Sequence, residues 1–214
     1  MAYNIGDITI VSELLGLLAN LKNNAIDVLQ IIGVLWIIQV VNSLLGNKLC
    51  LLGVVPRKIY GLIGIVFSPF IHYGFSHVFF NSIPLFILLS SMLSLGIPAA
   101  ICATVTIIII GGLGVWLCGR KAIHVGASGL IMGYMGYILY SAYYTSSVSS
   151  VVVGVLCFYY LGSILFSVVP TDESSSWEGH LFGLLAGVLA AYLGCAVPFG
   201  YITDYMLSIF SLGL

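Results

Sequence analysis

The chain has 214 residues, 61% of them hydrophobic and only 6% charged, with a mean hydropathy of +1.18, whereas roughly a quarter of a soluble domain is charged. It therefore reads as an integral membrane protein, and six basic against seven acidic residues leave no basic patch for nucleic acid or polybasic lipid binding. At about 20 apolar residues per spanning helix, the length allows six or seven spans, so any chemistry is expected within the bilayer part.

The first 24 residues lack the basic start, short apolar core and cleavage site of a signal peptide, and the N-terminus is expected to stay on the mature protein. Glu13 to Leu21 is apolar but short, and Lys22, Asn23 and Asn24 close it. That pattern predicts an interfacial segment over residues 1–26. A first span follows from Asp27 to Leu45. Gly46 to Phe75 carries Lys48, Arg57 and Lys58 among Gly and Pro, yet is apolar around Ile59 to Phe70, which predicts a long first loop that dips into the membrane against protein.

Span two is predicted over Ser76 to Leu95 with Pro84 inside it as a kink, and Gly96 to Pro98 make a turn that forces antiparallel neighbours. Span three runs over Ile97 to Cys118. Arg120, Lys121 and His124 stand in the next loop, where His124 reads as a solvated residue. Span four is predicted over Ala127 to Tyr144 and span five over Val148 to Val169. Pro170 to Ser176 is the most polar segment, ahead of span six over Trp177 to Val197. Residues 199–214 read as an interfacial tail, leaving 27–198 as the six-span domain of an all-α membrane protein. Tyr140, Tyr143 and Tyr144 cluster at a span end as an interfacial belt. There is no internal repeat of the transporter kind. Cys50, Cys102, Cys118, Cys157 and Cys195 contain no CxxC pair and are odd in number. They suggest neither a zinc site nor a disulfide framework and read as small helix residues; no metal or cofactor is expected.

Strongly polar side chains inside spans are expensive and mark function. Four stand out: His77, Asn81, Ser128 and His180, each at the start of its span. Spans two, four and six all begin on one membrane face, so the four residues share a side and a depth. His77 and Asn81 are four apart and stack on one helix face. His180, Gly183 and Gly187 form one stripe of span six, and Gly129, Gly133 and Gly136 form another on span four. Small residues allow close backbone approach, which would bring Ser128 within reach of His180, as a serine nucleophile and its base require. Ser128 at a helix N-terminus meets unpaired N–H groups and the positive dipole end, and His77 and Asn81 can add oxyanion donors. Glu178 is two residues from His180 and so points elsewhere, which makes the expected arrangement a dyad.

HYGFSHVFFN (72–81), GASG (126–129) and GHLFGLLAG (179–187), in this order and within a six-span frame, resemble the rhomboid intramembrane serine proteases of six-span prokaryotic type. The resemblance implies Ser128 as nucleophile, His180 as general base and then acid, and His77, Asn81 and the Ser128 N–H as oxyanion hole. It implies His72 as a support for the first loop and Pro170–Ser176 as a mobile lid. It implies cleavage of single-span membrane-protein substrates in the lipid bilayer, at small residues after local unwinding. Two features depart from the family pattern: Ile63 and Gly64 stand where many members carry a Trp-Arg pair, and Met132 where an aromatic often stacks on the histidine. The resemblance also implies a cytoplasmic N-terminus and an extracytoplasmic active-site face, in a prokaryotic inner or plasma membrane. Five of six basic residues fall on that face, the reverse of the positive-inside rule. Two other classes compete. A non-cutting rhomboid-like helix binder would generally lack the serine or histidine, and a small transporter or proton pathway would place its polar residues at the midplane rather than at one face.

Overall fold

A computed structural model describes residues 5–145 and 176–195 of the chain, almost entirely as helix. The predicted fifth span, the polar loop up to residue 175 and the tail lie outside the described residues. Ile5–Leu44 is one helix, α1. It runs straight through Lys22–Asn24, where the sequence suggested a break. Asn24 accounts for part of this, because its Nδ2 donates to the Ser90 carbonyl at 3.0 Å and to Ser94 Oγ at 3.1 Å. The polar group is satisfied on a neighbouring helix and the helical hydrogen bonds continue.

That neighbour is α2, Phe75–Leu93, with Pro84 buried inside it. Asn24 meets its C-terminal end and Trp36 Nε1 donates to Ser82 Oγ nearer its start at 3.1 Å, so α1 and α2 are antiparallel. Gly96, at φ +101°, turns the chain into α3, Ile97–Cys118, whose middle turn Ile107–Gly111 is a π-helix. By length and composition, three of the described helices suffice to cross a membrane: Leu15–Leu44 within α1, α2 and α3. Then come α4, Ser128–Thr145, and α5, Trp177–Tyr192. Residues 131–138 of α4 are buried on every side, which makes it the central helix.

In lipid, helices associate by close packing rather than by escape from water, so small residues decide where backbones meet. A methyl group placed on Gly183 would overlap the Gly129 carbonyl, and one on Gly187 the Gly133 carbonyl. Hence α4 and α5 run parallel in backbone contact. From the third side, Ile107 fills the space over Gly133, and Gly111 lies so that an added Cβ would be 3.4 Å from the Gly183 Cα. Cys102 of α3 and Cys195 just beyond α5 form a disulfide, Cα to Cα 5.6 Å. This corrects the reading of all five cysteines as packing residues: α3 and α5 are antiparallel neighbours, which brings together two cysteines 93 residues apart.

The first loop folds into short pieces: 3₁₀ turns at Lys48–Leu52, Ile59–Leu62 and Ser68–Phe70 and one helical turn at Gly64–Phe67. Gly61 packs on the Val55 backbone and Gly64 on the Gly53 backbone, so a small residue is required where the Trp-Arg pair is missing. Another arginine and tryptophan anchor the loop. Arg57 Nη1 donates to the carbonyls of Leu117 and Gly119 at 3.0 and 2.9 Å, closing the C-terminal end of α3, and Trp116 Nε1 donates to the Lys58 carbonyl at 2.8 Å. Val54 and His124 pair by both backbone bonds, at 3.0 and 2.9 Å, which joins the first loop to the loop ahead of α4.

Candidate active site

The site is assembled where that loop turns into α4. Ile131 N–H donates to the Ala127 carbonyl at 2.9 Å, which makes Ala127 the cap and Ser128 the first helical residue. The first N–H groups of α4 therefore have no partner within the helix. Gly126, at φ +122°, has a backbone that L side chains rarely adopt. It also has no room for one: a Cβ there would lie 2.7 Å from His77 Cε1 and 2.9 Å from Nε2, with Asn81 Nδ2 at 3.7 Å. The imidazole and amide of α2 are thus turned onto the backbone two residues before Ser128. Asn81 is buried at 2% exposure, and its Nδ2 has no hydrogen-bond partner among the described residues.

His72, fully buried, tightens the same turn. Its Nε2 accepts from Ala127 N–H at 3.2 Å, so the proton of the neutral ring is on Nδ1. Its backbone carbonyl accepts from Asn42 Nδ2 at 2.9 Å, while Asn42 Oδ1 accepts from Leu49 N–H at 3.0 Å. The His72 and His77 rings meet edge to face, centroids 5.0 Å apart. Burial first and His77 second push His72 down to about 3, against the upward pull of the Phe70 carbonyl.

His180 is the fourth residue of α5 and is buried at 5% exposure. Its neighbour Gly179 faces the neighbour of Ser128: a Cβ on Gly129 would lie 3.2 Å from the Gly179 carbonyl oxygen. The two glycine contacts one and two turns further on, Gly183 on Gly129 and Gly187 on Gly133, continue that seam. A cavity of about 60 Å³ lies against Ser128 and is bounded by Gly126, Gly129, His124, Ser176 and Gly179. At 10–15 Å³ or so per water, it has room for a few. Met132 is fully buried in the core behind the site. No group of three or more potential metal ligands occurs among the described residues.

The sequence reading missed a second polar cluster beside the site. His124, read as solvated, is buried at 6% exposure. Its Nδ1 contacts Ser176 Oγ at 2.6 Å and its Nε2 faces the Arg120 carbonyl at 3.3 Å. Glu178, 1% exposed, accepts from Arg120 N–H at 3.0 Å and faces Arg120 Nε at 3.7 Å. The signal was the charge of opposite sign on segments 58 residues apart, which only the fold brings together.

A family model described as the rhomboid domain matches residues 59–197. An uncharacterized protein of Mycobacterium tuberculosis (strain H37Rv) is 35% identical over 175 residues, covering 78% of this chain and 73% of the relative. One of Mycobacterium leprae is 30% identical over 177 residues, covering 78% and 70%. A Bacillus subtilis protein named "Putative rhomboid protease YdcA" is 29% identical over 130 residues, covering 58% and 62%. No solved structure gives a significant match. The matched span contains the turn at Gly126, the seam between α4 and α5 and both clusters around them, and the chain belongs to the rhomboid family of intramembrane serine proteases.

Proposed function

We propose that this protein is a serine endopeptidase that cuts transmembrane helices of single-span membrane proteins, with Ser128 as nucleophile and His180 as its base. The observation that carries the reading is the buried Asn81 Nδ2, which has no partner among the described residues and lies with His77 against Gly126. A buried donor without a partner is costly. It becomes useful when a negatively charged oxygen forms in front of it, as in attack by Ser128 on a peptide carbonyl.

In the proposed reaction His180 takes the Ser128 proton and Ser128 Oγ attacks. The tetrahedral oxyanion is held by His77, Asn81 and the Ser128 N–H at the start of α4. His180 then gives its proton to the leaving amine, and water repeats the sequence on the acyl-enzyme. A helix hides its carbonyls in its own hydrogen bonds, so the substrate must unwind locally first. The frame proposed for this is six spans, the first within the continuous helix α1 and the fifth between α4 and α5, with residues 199–214 at the interface and the site facing the extracytoplasmic side of a prokaryotic inner membrane.

The test is cleavage of a tagged single-span substrate by purified protein in proteoliposomes, alongside Ser128 labelling by a fluorophosphonate. Ser128→Ala and His180→Ala should abolish cutting. Asn81→Ala should lower kcat by about 10²- to 10³-fold, as loss of an oxyanion donor does, with the fold intact. Absence of both cutting and labelling in folded wild-type protein would leave helix binding without cleavage as the better account.

A further inference from the structure

The reaction above does not use Arg120, His124, Ser176 or Glu178, yet these polar groups are concentrated at its edge. His124 stands four residues before Ser128, and Ser176 four before His180. The contact of 2.6 Å between His124 Nδ1 and Ser176 Oγ therefore joins the two segments at the same distance upstream of each member of the dyad. We propose that these four residues form a clamp that positions Ser128 against His180, an inference that rests on the dyad reading.

The clamp has a defined protonation state. Ser176 Oγ accepts from Gly179 N–H at 3.3 Å as the cap of α5. A hydroxyl has one proton, and His124 Nδ1 is where it can go. The imidazole proton is then on Nε2, which donates to the Arg120 carbonyl at 3.3 Å. This is a neutral ring, and burial, the largest influence, holds the His124 pKa below its usual value; the Arg120 carbonyl and Glu178 carboxylate pull it up and the Arg120 guanidinium pulls it down. Glu178 supplies the second tie. Its Oε1 is bound to Arg120 N–H, and buried carboxylates are kept where a partner holds them.

The chain between clamp and dyad has little slack. Towards Ser128, Gly126 N–H donates to the Ser68 carbonyl at 2.9 Å and Ala127 N–H to His72 Nε2 at 3.2 Å. Towards His180 there is one helical turn, begun by His180 N–H on the Ser176 carbonyl at 3.3 Å. The glycine seam holds α4 to α5 below this level, so opening the clamp frees the two helix starts without separating the helices. The four are positioning residues, acting through the backbone they tie together.

The experiment uses the full-length protein in proteoliposomes and reads the fluorophosphonate labelling rate of Ser128, kcat and KM on a single-span substrate, and thermal unfolding. His124→Ala and Ser176→Ala are expected to lower labelling and kcat by about 10- to 100-fold, the cost of misplacing reacting groups by an ångström or so, with KM little changed. The double variant should be impaired by less than the product of the two single losses, because both break the same contact. Ser176→Thr keeps the hydroxyl and should recover most of the loss. Wild-type rates in folded His124→Ala would overturn the clamp, as would Ser176→Thr as impaired as Ser176→Ala. If His124→Ala does not fold, the two Ser176 variants decide. Wild-type protein that neither labels nor cuts defeats the dyad and the clamp with it, whereas active wild type beside unimpaired variants defeats the clamp alone.

Discussion

A histidine at neutral pH ordinarily sits near its midpoint, but His72 is buried without charge between the first loop and the turn at Gly126, its pKa lowered from 6.5 to about 3. The linkage has a definite sign. The unfolded chain takes up a proton as pH falls through 6.5, and the folded chain does not until about 3, so the stability contributed by neutral His72 is present above 6.5 and is lost as pH falls. At about 1.4 kcal/mol per unit, roughly 2 kcal/mol should go between pH 6.5 and 5. His124, also lowered by burial, adds to the loss with the same sign. Thermal unfolding in detergent should therefore show a lower Tm at pH 5 than at 7.5, and His72→Gln, which keeps an acceptor for Ala127 N–H, should flatten that slope. An unchanged slope would mean that the folded state admits the proton. At this scale the motif residues were legible because their types and spacings are peculiar in an apolar chain. His124, Glu178 and Asn42 were not, since each has meaning only through a partner on a distant segment.

At the scale of elements, the small-residue stripes on predicted spans four and six were visible as a period in the sequence, and α4 and α5 touch along them. What no period could disclose is the third participant, the π turn of α3 over Gly133 and beside Gly183, or the bond from Cys102 to Cys195. The tolerance of the seam is measurable one methyl at a time. A Cβ on Gly187 would overlap the Gly133 carbonyl, and backbone yields less readily than a flexible side chain. Gly187→Ala should cost about 1–3 kcal/mol of stability, as overpacking does, and reduce cleavage sharply. Gly33 in α1 is the control, since nothing lies within 4 Å of an added Cβ there. Gly33→Ala should be neutral or stabilising by about 0.5–1 kcal/mol. Equal effects of the two substitutions would show that the contact between α4 and α5 is not tight.

The orientation of the whole molecule turns on charges that helix periodicity does not weigh. Lys48, Arg57, Lys58, Arg120 and Lys121 all lie on the active-site face, where positive-inside bias would predict cytoplasm. Two of the five have structural duties: Arg57 closes the end of α3 through two carbonyls, and Arg120 meets buried Glu178. Their presence on this face is explained by folding whichever way the chain is inserted, and three exposed lysines remain against Lys22. The proposed orientation, with this face outside, makes a direct prediction. Exposed Lys121, changed to cysteine in a chain where exposed Cys118 is replaced by Ala, should react in intact cells with a maleimide that cannot cross the membrane. The opposite end supplies an independent reading. Cys102 lies one turn into α3 from the turn at Gly96, so an outward active site places the Cys102–Cys195 pair towards the cytoplasm, where thiols are kept reduced. Alkylation before lysis should then trap two thiols, and the bond should form on oxidation after purification. Labelling of Lys121→Cys only in permeabilised cells, together with a pair already oxidised before lysis, would invert the molecule and place the site on the cytoplasmic side, as the lysines alone suggest.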